Sequence, residues 1–230
     1  MDDEVPVLVR HVAVVAQDVW AEVESLSGRL GEQHPRRELD EHPVTLQTAF
    51  DGRRVAASRE ALADSIRPGT DALPDGFGRG FRERMESMAS WSEATVVDAC
   101  QDTISEVINE QEERGCLSGP TLGELVATAT HEASQAPFLA ALTIEAAPLW
   151  LEVWSQAARV ANGSAAVAPL WFAGLAGWLT GDGCLLNLAG DLIGNIDSDT
   201  FAARMIASIS RFALPPDFWE SYRSTLEHAA

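Results

Sequence analysis

The stretch GWLTGDGCLLNLAGDL, residues 177 to 192, sets Gly181-Asp182-Gly183 between two apolar runs that hold hardly any other charge. A glycine loop lets backbone approach a ligand closely, and an aspartate within it can hold a cation or a hydroxyl. The same residues also have structural uses. Gly181 can take the left-handed conformation that closes a helix, and Asp182 can accept the free N–H groups of the helix that follows. Catalysis there would need a second polar group converging on the aspartate, and no spacing in the sequence supplies one. The expectation is a corner between two buried helices. No catalytic, cofactor-binding or metal-binding residue is assigned to it.

Other residues invite chemistry and have plainer uses. His131-Glu132 begins like a zinc-protease motif, but the position one helical turn later is Gln135, so two imidazoles do not share a face. His131, Glu132 and Glu145 are the acid/base groups that an enzyme with a site assembled in three dimensions would draw on. Gly76-x-Gly78-x-Gly80, with Arg79, Arg82 and Arg84, could hold an anion at a helix start. However, the spacing fits neither the dinucleotide fingerprint nor the P-loop, and Glu83 and Glu86 can pair with those arginines. His34 and His42 bracket a polar connection without metal-ligand spacing, and the acidic run EVINEQEER spreads its carboxylates around a helix surface. Asn162-Gly163-Ser164 matches a glycosylation sequon but reads as a turn.

Composition narrows the classes. The chain has 230 residues, an apolar share of 46% and a formal charge of −19, and every one of its 16 basic residues is arginine. Such an acidic surface repels a phosphate backbone, which argues against nucleic acid. Cys100, Cys116 and Cys184 are odd in number and widely spaced, which suits a reducing compartment better than a disulfide framework. The start, MDDEVPVLVR, is acidic where a secretory signal would be basic, so a cytoplasmic location is expected. Residues 160 to 181 carry no charge, but the Asn162-Gly163-Ser164 turn and Pro169 leave too short a helix to cross a bilayer.

These residues sit on a chain whose patterning is largely helical. Leu8, Val12, Val15, Val19, Leu26 and Leu30 recur at helical spacing, so residues 8 to 30 read as a helix, although VPVLV could begin as a strand. Pro43 opens a short segment, and Ser58 can cap a helix through Asp64. Residues 68 to 80, rich in proline and glycine, are the expected internal hinge. Residues 93 to 114 form the clearest amphipathic helix, with Val97, Cys100, Ile104, Val107 and Ile108 inward and Gly115 ending it. Further helices are expected from 121 to 132, 137 to 160, 166 to 179 and 183 to 195. Another runs from a cap at Asp197 or Ser198 to Phe212, and a last one follows Pro215-Pro216-Asp217. Gly174 and Gly177 allow two of these helices to approach closely. The expected fold is an all-α, irregular bundle of about eight to ten helices with a tetratricopeptide-like helix-turn-helix near the C-terminus. An N-terminal helical region, 1–74, precedes a main helical domain, 75–230, and the two can pack as one.

Two stretches also resemble a known family, the actinobacterial domain of unknown function family 4192. HPVTLQTAFDGRRVAASREAL, residues 42 to 62, is similar to that family's alanine-rich helix, glycine and capped helix. APLWFAGLAGWLTGDGCLLNLAGDL through FALPPDFW, residues 168 to 219, is similar to its small-residue helices, its tryptophan before Gly-Asp-Gly and its terminal Pro-Pro corner. The resemblance implies a longer N-terminal portion with strands, read here as absent, and a proline where this chain has Ser198. It implies no chemistry and no catalytic residue. The expected role is a cytoplasmic protein-protein interaction or scaffold module, through a protein partner or self-association, with no nucleic acid, membrane, cofactor or small-molecule ligand. An enzyme using His131 and acidic residues is the alternative.

Overall fold

The structure, a computed structural model, describes residues 10–16, 19–24, 30–35, 59–69 and 71–229. The chain divides into two units, 1–56 and 57–230. In the first, RHVAVVA and VWAEVE form strands where helical spacing predicts one helix over 8 to 30. β1 (Arg10–Ala16), β2 (Val19–Glu24) and β3 (Leu30–Pro35) make an antiparallel sheet in the order β1-β2-β3. Val12 stands opposite Glu22, Val14 opposite Trp20, and Trp20 opposite His34, with a register shift between Val14 and Ala16. The physical reason is β-branching. Val12, Val14, Val15, Val19 and Val23 lose side-chain freedom in a helix and fit a pleated surface, so spacings of three and four mislead in so valine-rich a segment.

Unit 57–230 is the all-α irregular bundle expected from the sequence. Its helices are α1 (Arg59–Asp64), α2 (Phe77–Met88), α3 (Glu93–Arg114), α4 (Gly119–Ala129), α5 (Gln135–Ala141) and α6 (Ala147–Val160). They continue with α7 (Val167–Leu179), α8 (Gly183–Ile196), α9 (Phe201–Arg211) and α10 (Phe218–Ala229). α3 spans the residues expected. The Ser92 side chain accepts the N–H of Thr95 at its start, and Gly115, with φ of 70°, closes its end. Its buried stripe is rotated from the one expected: Val96, Cys100, Thr103 and Val107 are buried, while Val97, Ile104 and Ile108 are half-buried. Several elements pack on α3, among them α4, α5 and α6, and they pull the centre of its apolar face toward Val96 and Thr103.

The helix expected from 137 to 160 is two. α5 stops at Ala141, and α6 starts at Ala147 with Pro148 in its first turn, because proline inside a helix lacks the N–H and clashes with the preceding turn. Thr143 Oγ1 accepts the Ala146 N–H across the break. Two indoles secure it. Trp150 Nε1 donates to the Ala141 carbonyl at 3.0 Å, and Trp219 Nε1, from α10, donates to the Leu142 carbonyl. α9 also begins later than expected, capped by Thr200 rather than by Asp197 or Ser198; Thr200 Oγ1 accepts the Ala203 N–H, and Asp197 instead turns the chain by accepting the Asp199 N–H.

The core is aromatic. Phe138 meets the Trp154 ring edge-on at 5.0 Å, Trp154 stacks on Phe172 at 4.7 Å, and Phe172 stacks on Trp171 at 4.8 Å. Trp171 and Trp178 are 1% and 6% exposed, so both fill protein interior. No described helix is long and apolar enough to cross a membrane. α8 packs along α7 through the glycines that the sequence singles out: a Cβ on Gly174 would lie 2.7 Å from the Cβ of Ala189, and one on Gly177 would lie 2.6 Å from Leu185 Cδ2; α9 packs along α8 at Gly190, where a Cβ would lie 2.8 Å from Ile206 Cγ2.

Candidate functional site

The corner at 181–183 is built by two local devices. α7 ends in a left-handed turn in which the Gly181 N–H donates to the Trp178 carbonyl at 2.9 Å and the Asp182 N–H donates to that of Gly177 at 2.7 Å. Gly181 has φ of 90°, a conformation glycine adopts without a side-chain clash. Asp182 Oδ1 then accepts the Leu185 N–H at 2.9 Å and caps α8. The aspartate is therefore bonded to its own chain, as a structural corner requires.

A cleft of about 320 Å³ nevertheless opens at this corner. Its floor is apolar, formed by Trp178, Leu186 and Ile209, all buried. Gly181 and Gly183 border it on one side, Ala213, Leu214 and Pro216 on the other. Asn187 and Ser210 lend polarity, joined by a 2.6 Å hydrogen bond from Ser210 Oγ to Asn187 Oδ1. The far wall is held in place by Trp178, whose Nε1 donates to the Leu214 carbonyl at 3.0 Å. That wall closes α9 with the same left-handed turn that closes α7: the Leu214 N–H reaches the Ile209 carbonyl, and Ala213 takes φ of 46°. Among the described residues Ala213 is the one non-glycine at positive φ. The segment FALPPDF also leaves Phe212 66% and Phe218 46% exposed, the first directly before the lining Ala213 and the second two residues after the lining Pro216.

The family model described as Domain of unknown function (DUF4192) matches residues 3–217. The chain belongs to that family. No curated protein and no solved structure matches it. The DUF4192 match takes in both β-strand residues and helices. The matched residues include the antiparallel sheet β1-β2-β3.

The other candidate residues of this DUF4192 chain are not brought together. His131 Nδ1 accepts the Ala133 N–H at 3.2 Å and so starts the short 3-10 turn Glu132–Ser134. Glu132 and Glu145 are exposed, and no hydrogen bond or ion pair among the described residues joins them to His131 or to each other. Gly76, at φ of 86°, precedes α2 with no side-chain cap. The first turn of α2 is open at Gly78 but packed at Gly80, where a Cβ would meet backbone of Pro120; from the other side, Cβ atoms on Gly119 and Gly123 would meet backbone of Asp75 and Phe77. Arg84 pairs with Glu124 and lies over the Trp91 ring, while Arg79 and Arg82 are exposed.

In the acidic run, Glu110 pairs with Arg114 at 2.8 Å and Glu106 accepts a hydrogen bond from Thr121. No group of three or more His, Cys, Asp or Glu that could hold a metal occurs among the described residues. His34 lies on β3, and His42 lies outside the described residues. Asn162-Gly163-Ser164 is the turn expected, with Gly163 at φ of 56°. Burial pushes the Cys100 thiol up to about 12, against a smaller downward pull from Arg84, so it stays protonated; Cys116 and Cys184 are free and exposed. The cleft is what reading the sequence missed. Its one advance signal was the Pro215-Pro216 corner beside two phenylalanines, because the wall comes from residues some thirty positions beyond the Gly-Asp-Gly bend.

Proposed function

We propose that the chain is a helical protein-interaction or scaffold module of the cytoplasm with no catalytic centre of its own, and that its contact surface is the cleft at the Gly-Asp-Gly corner. The observation that carries this role is the exposure of Phe212 and Phe218 beside an apolar-floored cleft, in a unit whose tryptophans 150, 154, 171 and 219 are otherwise 1% exposed. Large apolar side chains left in water next to a concave surface mark partner contacts. The stacking of α7, α8 and α9 suits the tetratricopeptide manner of presenting such a groove.

The test compares wild type with a Phe212→Ser/Phe218→Ser double variant, whose side chains are exposed enough that the fold survives, as checked by circular dichroism. Light scattering and affinity capture from the native host read the association. Assembly or a captured partner that is present for wild type and lost in the double variant supports the role. A monomer that captures the same proteins with and without the two phenylalanines rejects it.

A further inference from the structure

Electrostatics around the cleft favour one kind of occupant. α7 and α9 both end at it, and the C-terminal end of a helix carries about half a negative elementary charge. α8 begins there with the opposite sign, but the Asp182 carboxylate already sits on that end. Asp217, which directly follows the lining residue Pro216, is exposed and makes no hydrogen bond or ion pair among the described residues. The cation closest in sequence to the far wall, Arg211, is held over the Phe212 ring with its guanidinium carbon 5.6 Å from the centroid. Arg223, further along α10, is engaged with Glu220 at 3.0 Å. Two helix C-termini and two carboxylates thus stand against one helix N-terminus and one stacked arginine, on a chain of net charge −19.

Resting on the interaction role proposed above, we infer that the cleft receives an apolar side chain from a basic segment of a partner protein, one in which Phe, Leu or Met stands beside Lys or Arg. The floor of Trp178, Leu186 and Ile209 takes the apolar group, and the cation meets Asp182, which stands between the lining Gly181 and Gly183, and Asp217, which follows the lining Pro216. A volume of about 320 Å³ is at the small end for ligand pockets and suits a side chain or two rather than a dinucleotide or haem. A second copy of the chain is a poorer occupant, because two molecules of charge −19 repel.

The experiment uses the full chain and two short amidated peptides in which Phe and Leu alternate with Lys or, as the mirror, with Glu. Binding is read by amide and indole chemical-shift changes in NMR spectra and by titration at two salt concentrations. The expected result is saturable binding of the lysine peptide that shifts the Trp178 indole and the Gly181, Gly183 and Ala213 amides, and that weakens with salt. An Asp182→Asn/Asp217→Asn variant keeps the α8 cap acceptor and is expected to bind about fivefold more weakly, from two partly exposed ion pairs lost. Equal binding of the glutamate peptide at the cleft overturns the basic partner while leaving the interaction role standing. So does self-association that Phe212→Ser abolishes and the two asparagines leave unchanged. Lysine-peptide shifts spread over the acidic surface away from the cleft, or no binding at all, overturn the basic partner outright.

Discussion

Adding one methyl group at Gly123 and at Gly78 is expected to move stability in opposite directions. Gly123 is in α4, where α4 crosses α2. Its Cβ would run into the Phe77 carbonyl oxygen and stand 2.7 Å from the Phe81 amide nitrogen, both backbone atoms that no rotamer change can move aside. The helices must separate by several tenths of an ångström along one of the tightest crossings in the unit, and overpacking of this kind costs about 1–3 kcal/mol, here toward the upper end. Alanine returns up to about 1 kcal/mol through its better helix propensity, which leaves Gly123→Ala destabilised by about 1–2 kcal/mol. Gly78 is exposed in the first turn of α2, with nothing within 4 Å of where its Cβ would be. Gly78→Ala therefore gains about 0.5–1 kcal/mol by restricting the unfolded chain. Urea unfolding followed by circular dichroism should separate the two variants by about 1.5–3 kcal/mol with an unchanged slope, or by about 3–12 °C in Tm. Two variants that shift in the same direction, or a Gly123→Ala protein as stable as wild type, would refute the idea that backbone contact fixes this crossing.

Asp182→Ala should cost about 1 kcal/mol through loss of the α8 cap, while Asp182→Asn, which retains an acceptor, should cost a few tenths; equal losses in thermal melts would mean that the Leu185 hydrogen bond is not what matters. Ala213→Gly should stabilise by about 0.5–1 kcal/mol by relieving φ of 46°, and a destabilised variant would show that the methyl group packs usefully in the cleft wall. Under native conditions near neutral pH a thiol reagent should modify Cys116 and Cys184 and leave Cys100 until the chain unfolds. Because the Cys100 thiol is raised from its ordinary 9.0 to about 12 by burial, the unfolded state loses that proton first as pH climbs; its contribution to stability is flat below 9.0 and falls between there and about 12, which alkaline melts of wild type against Cys100→Ala can check.

Local chemistry was legible where its cause lies within a turn or two of chain. Gly115 at the end of α3, Pro169 in the first turn of α7, the Gly181 close and the Asp182 cap all follow from φ preferences, missing N–H groups and a side-chain acceptor at the right offset. The close approach at Gly174 and Gly177 was legible too, since a glycine in an apolar helix is costly unless a neighbour needs the space. The same offsets misled at 8 to 30, where valine supports strands, and at 142 to 146, where the break depends on Pro148 and on two indoles that reach the broken turn from other positions.

By itself, the sequence determined a helical, acidic chain with a tryptophan-rich interior and a capped bend at Gly181-Asp182, because composition, periodicity and caps act through neighbours along the chain. Only the tertiary structure decided that the bend borders a cleft and that Phe212 and Phe218 flank it in water. It alone brought Gly80, Gly119 and Gly123 against the backbone of another helix and set β1 beside β2. Those features are made of residues far apart in the chain, whose meeting depends on how whole helices cross and which strand edges pair, and no short-range preference encodes that.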